Sequence, residues 1–522
     1  MPNLTKWRPG WGAVLTAVLG GLVLACAFPP VDLWPLCLVG LVPFILLARS
    51  MSPRRALAAG WLGGVALYLG LMYWVMVVMI TYGGVHWSAA LLALFLFAIY
   101  LGAYMALFCW ALSLGARHGI SPLLAGPLVW AGFEWLRGII LTGVPWLPLC
   151  MGLSGNLPLI QSAELWSTSG LSLLVVLINA LVTQAVWPSQ QASALWRRVL
   201  AAAVALALVA GGWLWGGWRY DQAEARAQAA PTMPVSVVQA NVSLPMLWQK
   251  KLRPVVIERH MRPTRRAAAD NPDRPWLVVW PESAAPFYFL RDARPSLPVL
   301  ELAQELDAYI MLGSLGAVRE DKLLKVSNRS WLIGPDGREA GFYDKVHLVP
   351  FGEYVPLGQV LFFVRAVAQI GQDFAVGAPG KVLRVGPVAV GPLICYESIF
   401  PELARAMHRN GARLLVNQTN DAWFGRTSAP FQHLSHLQLR AIENRMACAR
   451  AANTGVSGFV LPSGRVIQAT GIYEPGLESA RLPLMNETTF FTRHGDIIGP
   501  SALIAALMLA VAGLWWGRKR EA

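Results

Sequence analysis

Three short runs place reactive side chains at the ends of apolar segments. Val388–Ser398 reads Val-Ala-Val-Gly-Pro-Leu-Ile-Cys-Tyr-Glu-Ser, a β-type run that stops at Cys395 and continues into Tyr396 and Glu397. Trp276–Ser283 reads Trp-Leu-Val-Val-Trp-Pro-Glu-Ser and ends in Glu282. Tyr343–Pro356 reads Tyr-Asp-Lys-Val-His-Leu-Val-Pro-Phe-Gly-Glu-Tyr-Val-Pro, with Lys345 and Glu353 among apolar neighbours. Runs of Val, Ile and Leu bounded by turn residues predict buried strands. A thiol, a carboxylate and an amine would then each sit where the chain leaves a core. Such a set can supply a nucleophile, its general base and a cation for the oxyanion of a tetrahedral intermediate. A free thiol has a pKa of ~8.5, so near neutrality it needs that base. Cys395 alone has an inert reading, because free cysteine commonly packs as a small hydrophobe. The company of Glu282 and Lys345 is what favours chemistry.

Other chemistries fit less well. Of six cysteines, Cys26, Cys37, Cys109 and Cys150 fall in or beside hydrophobic runs, and none shows paired metal spacing. A Cys395–Cys448 disulfide is the alternative in an oxidising compartment, but it would leave the Glu282 and Lys345 pattern without a purpose. His433 and His436, three apart on a predicted helix His433–Ala452, could share a metal. No third ligand follows at a matching interval, and Arg440, Glu443, Arg445 and Arg450 read as helix-face ion pairs. Neither a metal nor a cofactor is expected. The net charge of +14 invites a nucleic-acid partner. That reading is rejected, because much of the excess sits at the ends of hydrophobic runs, where basic residues set membrane topology.

Those hydrophobic runs are the frame that must carry the three side chains. With 55% hydrophobic residues and a mean hydropathy of +0.47, the chain is too apolar for an ordinary soluble protein. A membrane helix needs roughly 20 apolar residues, and candidates fall at 11–28, 33–49, 56–80, 87–115, 121–141, 167–187, 199–216 and 497–517. No cleavage site marks the first as a signal peptide. Lys6, Arg8, Arg49, Arg54, Arg55, Arg117, Arg197, Arg198, Arg518, Lys519 and Arg520 alternate with loops 29–32 and 81–86, which lack Lys and Arg. By the positive-inside rule both termini are cytoplasmic and the central segment lies outside. The expected organisation is therefore about seven transmembrane helices in 1–216, an external domain over 217–496, and a last helix with a basic tail in 497–522. The Pro- and Gly-containing stretch 142–166 stays open between a loop and a partly re-entrant segment. Glu134 and Arg137 interrupt the fifth span. Ionisable residues at that depth are functional candidates, and an i,i+3 pair near the interface is the alternative.

After Trp218 the composition changes to an alanine-rich connector, 223–230, and then to short strands. These are expected at 235–242, 276–280, 309–315, 326–333, 385–394, 412–417 and 456–461, with helices at Ser296–Leu306, Pro401–Asn410 and His433–Ala452. Pro335-Asp-Gly337 and Pro462-Ser-Gly464 have hairpin-turn residues. Strands interleaved with helices argue for an α/β layer structure.

The order Glu282, Lys345, Cys395 on strand ends resembles the nitrilase superfamily. The longer strings Trp-Pro-Glu-Ser, Lys-Val-His-Leu-Val-Pro-Phe-Gly-Glu, Cys-Tyr-Glu and Asn-Asp-Ala-Trp-Phe-Gly (420–425) resemble its membrane-bound branch, the apolipoprotein N-acyltransferases, over nearly the whole chain. The resemblance implies an αββα sandwich on a polytopic helical domain. It implies Cys395 as the nucleophile that takes a fatty acyl group from a phospholipid as a thioester, with Glu282 as base and Lys345 at the oxyanion. It places Glu353, Tyr396, Glu397 and the aromatic Trp248 in supporting roles. The implied acceptor is the α-amine of a diacylglyceryl-cysteine at the start of a lipoprotein. The implied setting is the bacterial inner membrane, with the site facing the periplasm and the chain acting as a monomer.

Two rivals remain: a membrane-tethered amidase or nitrilase that passes the acyl group to water, and a non-catalytic membrane scaffold. The intact triad weighs against the scaffold, and the spans weigh against a soluble substrate. Two apolar stretches follow catalytic candidates directly, 284–290 and 355–367. Either they pack into the domain core, or they lie on the bilayer face as a mobile wall lined by Phe287, Phe289, Phe362 and Phe363.

Overall fold

The computed structural model describes residues 10–187, 195–269, 271–320, 323–356 and 373–521. It divides into two compact units. One comprises the described residues up to Met76, His86–Tyr220 and those from His494 onward; the other comprises Val77–Val85 and Asp221–Arg493.

The first unit is helical. Among the described residues, four helices are long and apolar enough to cross a membrane: Pro53–Met72, Trp87–Arg117, Ala163–Val186 and Leu195–Ala229. Trp11–Ala25 and Ile498–Gly513 are shorter apolar helices, and Pro122–Arg137 has 16 residues. Small residues let these helices approach closely. A Cβ on Gly21 would lie 2.1 Å from the Gly63 carbonyl oxygen. The expected span 33–49 is broken into a 3-10 turn, Trp34–Leu38, and a helix, Val42–Ser50. Pro35 and Pro43 lack the N–H groups that a continuous helix needs. Asn179 satisfies the backbone this frees, donating to the Cys37 carbonyl (3.0 Å) and accepting from Leu41 N–H (2.9 Å). The connector expected at 223–230 is absent, because the helix Leu195–Ala229 runs through it.

Stretch 142–166 is irregular and largely buried, with Trp146, Leu147, Leu149, Cys150 and Met151 inside. Glu134 and Arg137 serve this backbone. Glu134 Oε2 accepts from Leu149 N–H (2.7 Å), and Arg137 Nη2 donates to the Trp146 and Leu147 carbonyls (both 3.4 Å). Non-helical backbone away from water must find partners within the protein, and this pair supplies them for 142–166.

The second unit is built on two sheets. In the first, β1 (Thr232–Gln239), β2 (Leu277–Val279) and β4 (Tyr309–Glu320) run parallel. β5 (Leu323–Ile333) and β6 (Glu339–Asp344) extend it antiparallel, β13 (Gly476–Pro483) closes the other edge, and β3 (Ala285–Tyr288) pairs with β4. In the second, the order is β12 (Val466–Ile467), β11 (Gly458–Val460), β10 (Ala447–Ala452), β9 (Leu414–Thr419), β8 (Val388–Ile394), β7 (Leu383–Val385). Its centre, β8, β9 and β10, is again parallel.

Strands covered on both faces read as continuous apolar runs, as β2 and β8 do. Around β2, Trp276, Val278 and Trp280 pack with Ile257 and Met261 of the helix Arg253–Ala268 and with Val299 and Leu302 of the helix Ala293–Leu306. Alternation turns Leu277 and Val279 to the opposite face. Across the interior, Gln418 of β9 donates to the Trp280 carbonyl (2.6 Å). Helices Pro401–Arg409 and Ala429–Asn444 accompany the second sheet. The layers are those of an αββα sandwich, as the resemblance implies.

Phe287 and Phe289 correct one expectation. Both are at most 2% exposed and belong to the core shared with Trp280 and Trp331, so 284–290 is not a mobile wall. Its aromatic side chains have more area to bury against the first sheet than in any exposed position. Phe362 and Phe363 lie outside the described residues.

Candidate active site

The carboxyl ends of parallel strands are where an open α/β sheet leaves room for ligands, and the reactive side chains gather there. Beyond β2 the chain passes through Pro281 to Glu282. Gly313 of β4 lies so close that a Cβ on it would stand 2.6 Å from Glu282 Cα. Glu282 is buried, and its carboxylate is fixed from two sides. Oε1 accepts from Asn328 Nδ2 of β5 (2.7 Å), and Oε2 accepts from the backbone N–H of Asn420, just past β9 (2.9 Å). The Cys395 thiol lies near enough to this carboxylate for its charge to push the thiol pKa up.

Lys345 is the residue after β6, and its N–H donates to the Asn328 carbonyl (2.8 Å). Its ammonium lies 2.9 Å from Glu353 Oε1 and 3.8 Å from Glu282 Oε1. Asn328 Nδ2 reaches Glu353 Oε1 too (2.9 Å), so one amide bridges the two carboxylates. Glu353 Oε2 accepts from Val349 N–H (2.9 Å), which closes the loop that carries it.

Cys395 follows β8 at the first position of a 3-10 turn, Cys395–Ile399, with φ of +51°. That left-handed conformation is costly for a residue with a side chain. Glu397 helps to hold the turn. Its Oε2 accepts from Ile394 N–H (2.6 Å), and its Oε1 from Val346 N–H (2.6 Å), His347 N–H (3.2 Å) and the Tyr343 hydroxyl (2.9 Å). Glu397 thus ties the Cys395 turn to the Lys345 loop with its side chain. An aromatic group joins the same two segments, with His347 stacked on Phe400 (3.6 Å) and Tyr396 edge-on to Phe400 (5.2 Å).

The electrostatics follow from burial around one cation. Burial pushes the Cys395 thiol up, the Glu282 carboxylate adds to this, and Lys345 opposes it. The resting sulfur is therefore a thiol. Burial also raises Glu282, with Lys345 pulling it down and Glu353 pushing it up. Burial disfavours the Lys345 ammonium, but Glu353 and Glu282 outweigh it and hold the group charged. Burial pushes Glu397 up to about 7 against the pull of the Ile394 and Val346 N–H groups. A protonated thiol beside a carboxylate of raised basicity, with a fixed ammonium across from it, suits proton transfer during attack on a carbonyl.

The structure gathers Glu282, Lys345, Cys395, Glu353 and Glu397 into one connected cluster, with Tyr396 at its edge. Trp248 stands apart, 70% exposed after the short helix Leu244–Leu247. His433 is engaged with Asp421 (3.2 Å) and the Cys395 carbonyl (3.0 Å), which removes it as half of a metal pair. Cys395 and Cys448 are both free thiols. Sequence reasoning missed Asn328 and His347, and weighed His433 only as half of a metal pair. Asn328 had a faint signal, as one of several polar residues inside a strand that otherwise reads as buried.

A family model described as Apolipoprotein N-acyltransferase N-terminal domain matches residues 20–181, and one described as Carbon-nitrogen hydrolase matches 234–490. The chain is 36% identical over 497 residues to the Apolipoprotein N-acyltransferase of Geobacter metallireducens, covering 95% of this chain and 94% of that one. It is 32% identical to the protein of that name from Gloeobacter violaceus, over 97% of this chain and 95% of that one. Among solved structures it is similar to Saccharomyces cerevisiae Nit3, a member of branch 10 of the nitrilase superfamily. There the identity is 20% and the TM-score 0.38, over 48% of this chain and 90% of that one.

Proposed function

The chain belongs to the apolipoprotein N-acyltransferase family, and we propose that Cys395 carries the acyl group of its reaction from a phospholipid to a lipoprotein amine. It is a membrane acyltransferase of lipoproteins. The observation that carries the assignment to Cys395 is the cluster itself, in which Lys345 lies 3.8 Å from Glu282 and Glu397 ties the Cys395 turn to the Lys345 loop.

In the first half-reaction, Cys395 Sγ attacks the ester carbonyl of the phospholipid as its proton passes to Glu282. The oxyanion forms beside the Lys345 ammonium, the kind of charge stabilisation that is usually the largest factor in acyl transfer. Collapse breaks the C–O bond, the lysophospholipid oxygen takes the proton from Glu282, and a thioester remains on Cys395. In the second, the neutral α-amine of the diacylglyceryl-cysteine attacks the thioester. An α-amine has a pKa of ~7.7–8.0, so a useful fraction is unprotonated. Glu282 receives the amine proton and returns it to the departing sulfur. A covalent intermediate shared by two half-reactions means ping-pong kinetics.

Glu353 and Glu397 act through Lys345 and the Cys395 turn. Trp248, exposed on the same unit, is proposed as a contact for a lipid or lipoprotein substrate. The distribution of Lys and Arg supports a bacterial inner-membrane protein with both termini cytoplasmic and the second unit in the periplasm. The helices favour a lipid donor over the small soluble substrate of an amidase. The test is to incubate the protein with phospholipid in detergent, follow its intact mass, and then add a diacylated lipopeptide. A mass gain of one acyl chain, discharged by the lipopeptide amine, is expected. A protein that releases only free fatty acid, with or without lipopeptide, would be a hydrolase.

A further inference from the structure

Behind Cys395 lies a buried polar cluster that no step above uses. The Cys395 carbonyl accepts from His433 Nε2 (3.0 Å) and from Ser398 Oγ (3.2 Å), and Ser398 Oγ is 2.8 Å from the same ring nitrogen. A carbonyl oxygen only accepts, so this contact requires the proton on Nε2. In a neutral ring Nδ1 is then an acceptor, and Arg450 Nη2 stands 3.2 Å from it. Arg450 is itself held by Asp421 Oδ2 (2.7 Å). Asp421 Oδ1, also 3.2 Å from Nδ1, receives the Thr419 hydroxyl (2.8 Å). All of these groups are buried. Nδ1 thus faces both members of a buried ion pair, which fixes the ring in place, and the Cys395 carbonyl is what calls for the proton on Nε2. Burial, reinforced by Arg450, lowers the His433 pKa and keeps it neutral.

The placement of the Nε2–H matters because of the backbone it meets. Cys395 holds φ of +51°, and such a conformation persists only where the surroundings over-determine it. Glu397 fixes the Ile394 N–H on one side of the residue; His433 fixes the carbonyl on the other. We propose that His433 is a positioning residue for the nucleophile, its Nε2–H holding the Cys395 carbonyl so that the residue keeps its left-handed turn and Sγ its place in the cluster. This rests on the reading of Cys395 as nucleophile.

The test compares His433→Gln, His433→Asn and His433→Leu in full-length protein, with the single-turnover rate of acyl adduct formation from phospholipid as the readout. Glutamine can place an amide N–H near the position of Nε2; asparagine reaches only the position of Nδ1, and leucine offers no donor. His433→Gln should acylate close to the wild-type rate. His433→Asn and His433→Leu should be slower by on the order of 10²-fold, the cost of a reacting group displaced by about 1 Å. A purely structural role would shift Tm without separating Gln from Asn in rate. Equal rates for Gln and Asn would overturn the proposal, and that pair decides even if His433→Leu fails to fold. If instead the wild type forms no adduct on Cys395, the nucleophile assignment fails and this proposal with it.

Discussion

Replacing Glu282 by glutamine keeps the volume of the side chain and removes its basicity. The structure sets both consequences. Asn328 Nδ2 and Asn420 N–H both donate to the carboxylate, and an amide can accept from only one of them through its oxygen. One hydrogen bond to a charged acceptor is lost, about 1.5–3 kcal/mol. The loss is offset in part, because Glu353 no longer faces a second buried carboxylate. The fold should survive. The rate should not. A positioned general base contributes about 10²–10⁴-fold, which is roughly 3–5 kcal/mol of barrier. What remains is attack by thiolate formed without help. At pH 7 an ordinary thiol is ionised to only about 3%, and burial makes that fraction smaller still for Cys395. The residual rate in Glu282→Gln should therefore climb about tenfold per pH unit. The wild-type rate of adduct formation should behave differently. It should fall as pH drops through the raised pKa of Glu282, above the ordinary carboxylate value of ~4.3, and level off above it. Lys345 stays charged throughout, since its pKa is raised. Quenched single-turnover mixtures read by intact mass from pH 5 to 9 give both profiles. A Glu282→Gln rate and pH profile matching the wild type would refute Glu282 as the base.

Three further outcomes are expected. Asn328→Leu removes a hydrogen bond that holds the Glu282 pKa down, so the acid limb of adduct formation should move to higher pH; an unmoved limb would refute the bridging role. Phe289→Ala should destabilise the protein by about 3–5 kcal/mol as a buried aromatic truncation, read by denaturant unfolding of detergent-solubilised protein, whereas a lid residue would leave stability unchanged. Asp421→Ala strands the buried Arg450 and should cost about 3–5 kcal/mol at pH 7. Burial opposes the Asp421 charge but Arg450 outweighs it, giving a pKa of about 2. The wild type therefore keeps this stabilisation above the ordinary Asp pKa of ~3.9 and loses it as pH falls toward 2, and the gap between the two proteins should close over that window.

Glu282 and Cys395 were legible because each ends an apolar run, and strand ends can be read from local pattern; Lys345 follows Glu-Ala-Gly-Phe-Tyr-Asp, which is no such run, and only the string around it marked it. β10 was not. Ala447–Ala452 reads Ala-Cys-Ala-Arg-Ala-Ala and looks like the tail of a helix, so a helix over His433–Ala452 was expected. The helix stops at Asn444, where Arg445 takes φ of +47°, and the alanines form a fully buried central strand between β9 and β11. Small side chains fit the tight interior there, and packing overrides propensity. The break inside the span expected at 33–49 was hidden for the same kind of reason, since Asn179, which satisfies its backbone, lies far along the chain. The Asn328 bridge and the His433 cluster depend on contacts between distant segments, and no spacing in the sequence announces those.

The central claim is that the acyl group rests on Cys395. Trapping the acylated protein, digesting it and sequencing the peptides by mass spectrometry tests that claim directly. The account predicts an acyl mass on the peptide containing Cys395, none on Cys448, and no adduct in Cys395→Ala under the same conditions, because losing the nucleophile of a cooperative triad can cost on the order of 10⁶-fold. An adduct on Cys448, or normal lipoprotein acylation by Cys395→Ala, would contradict it.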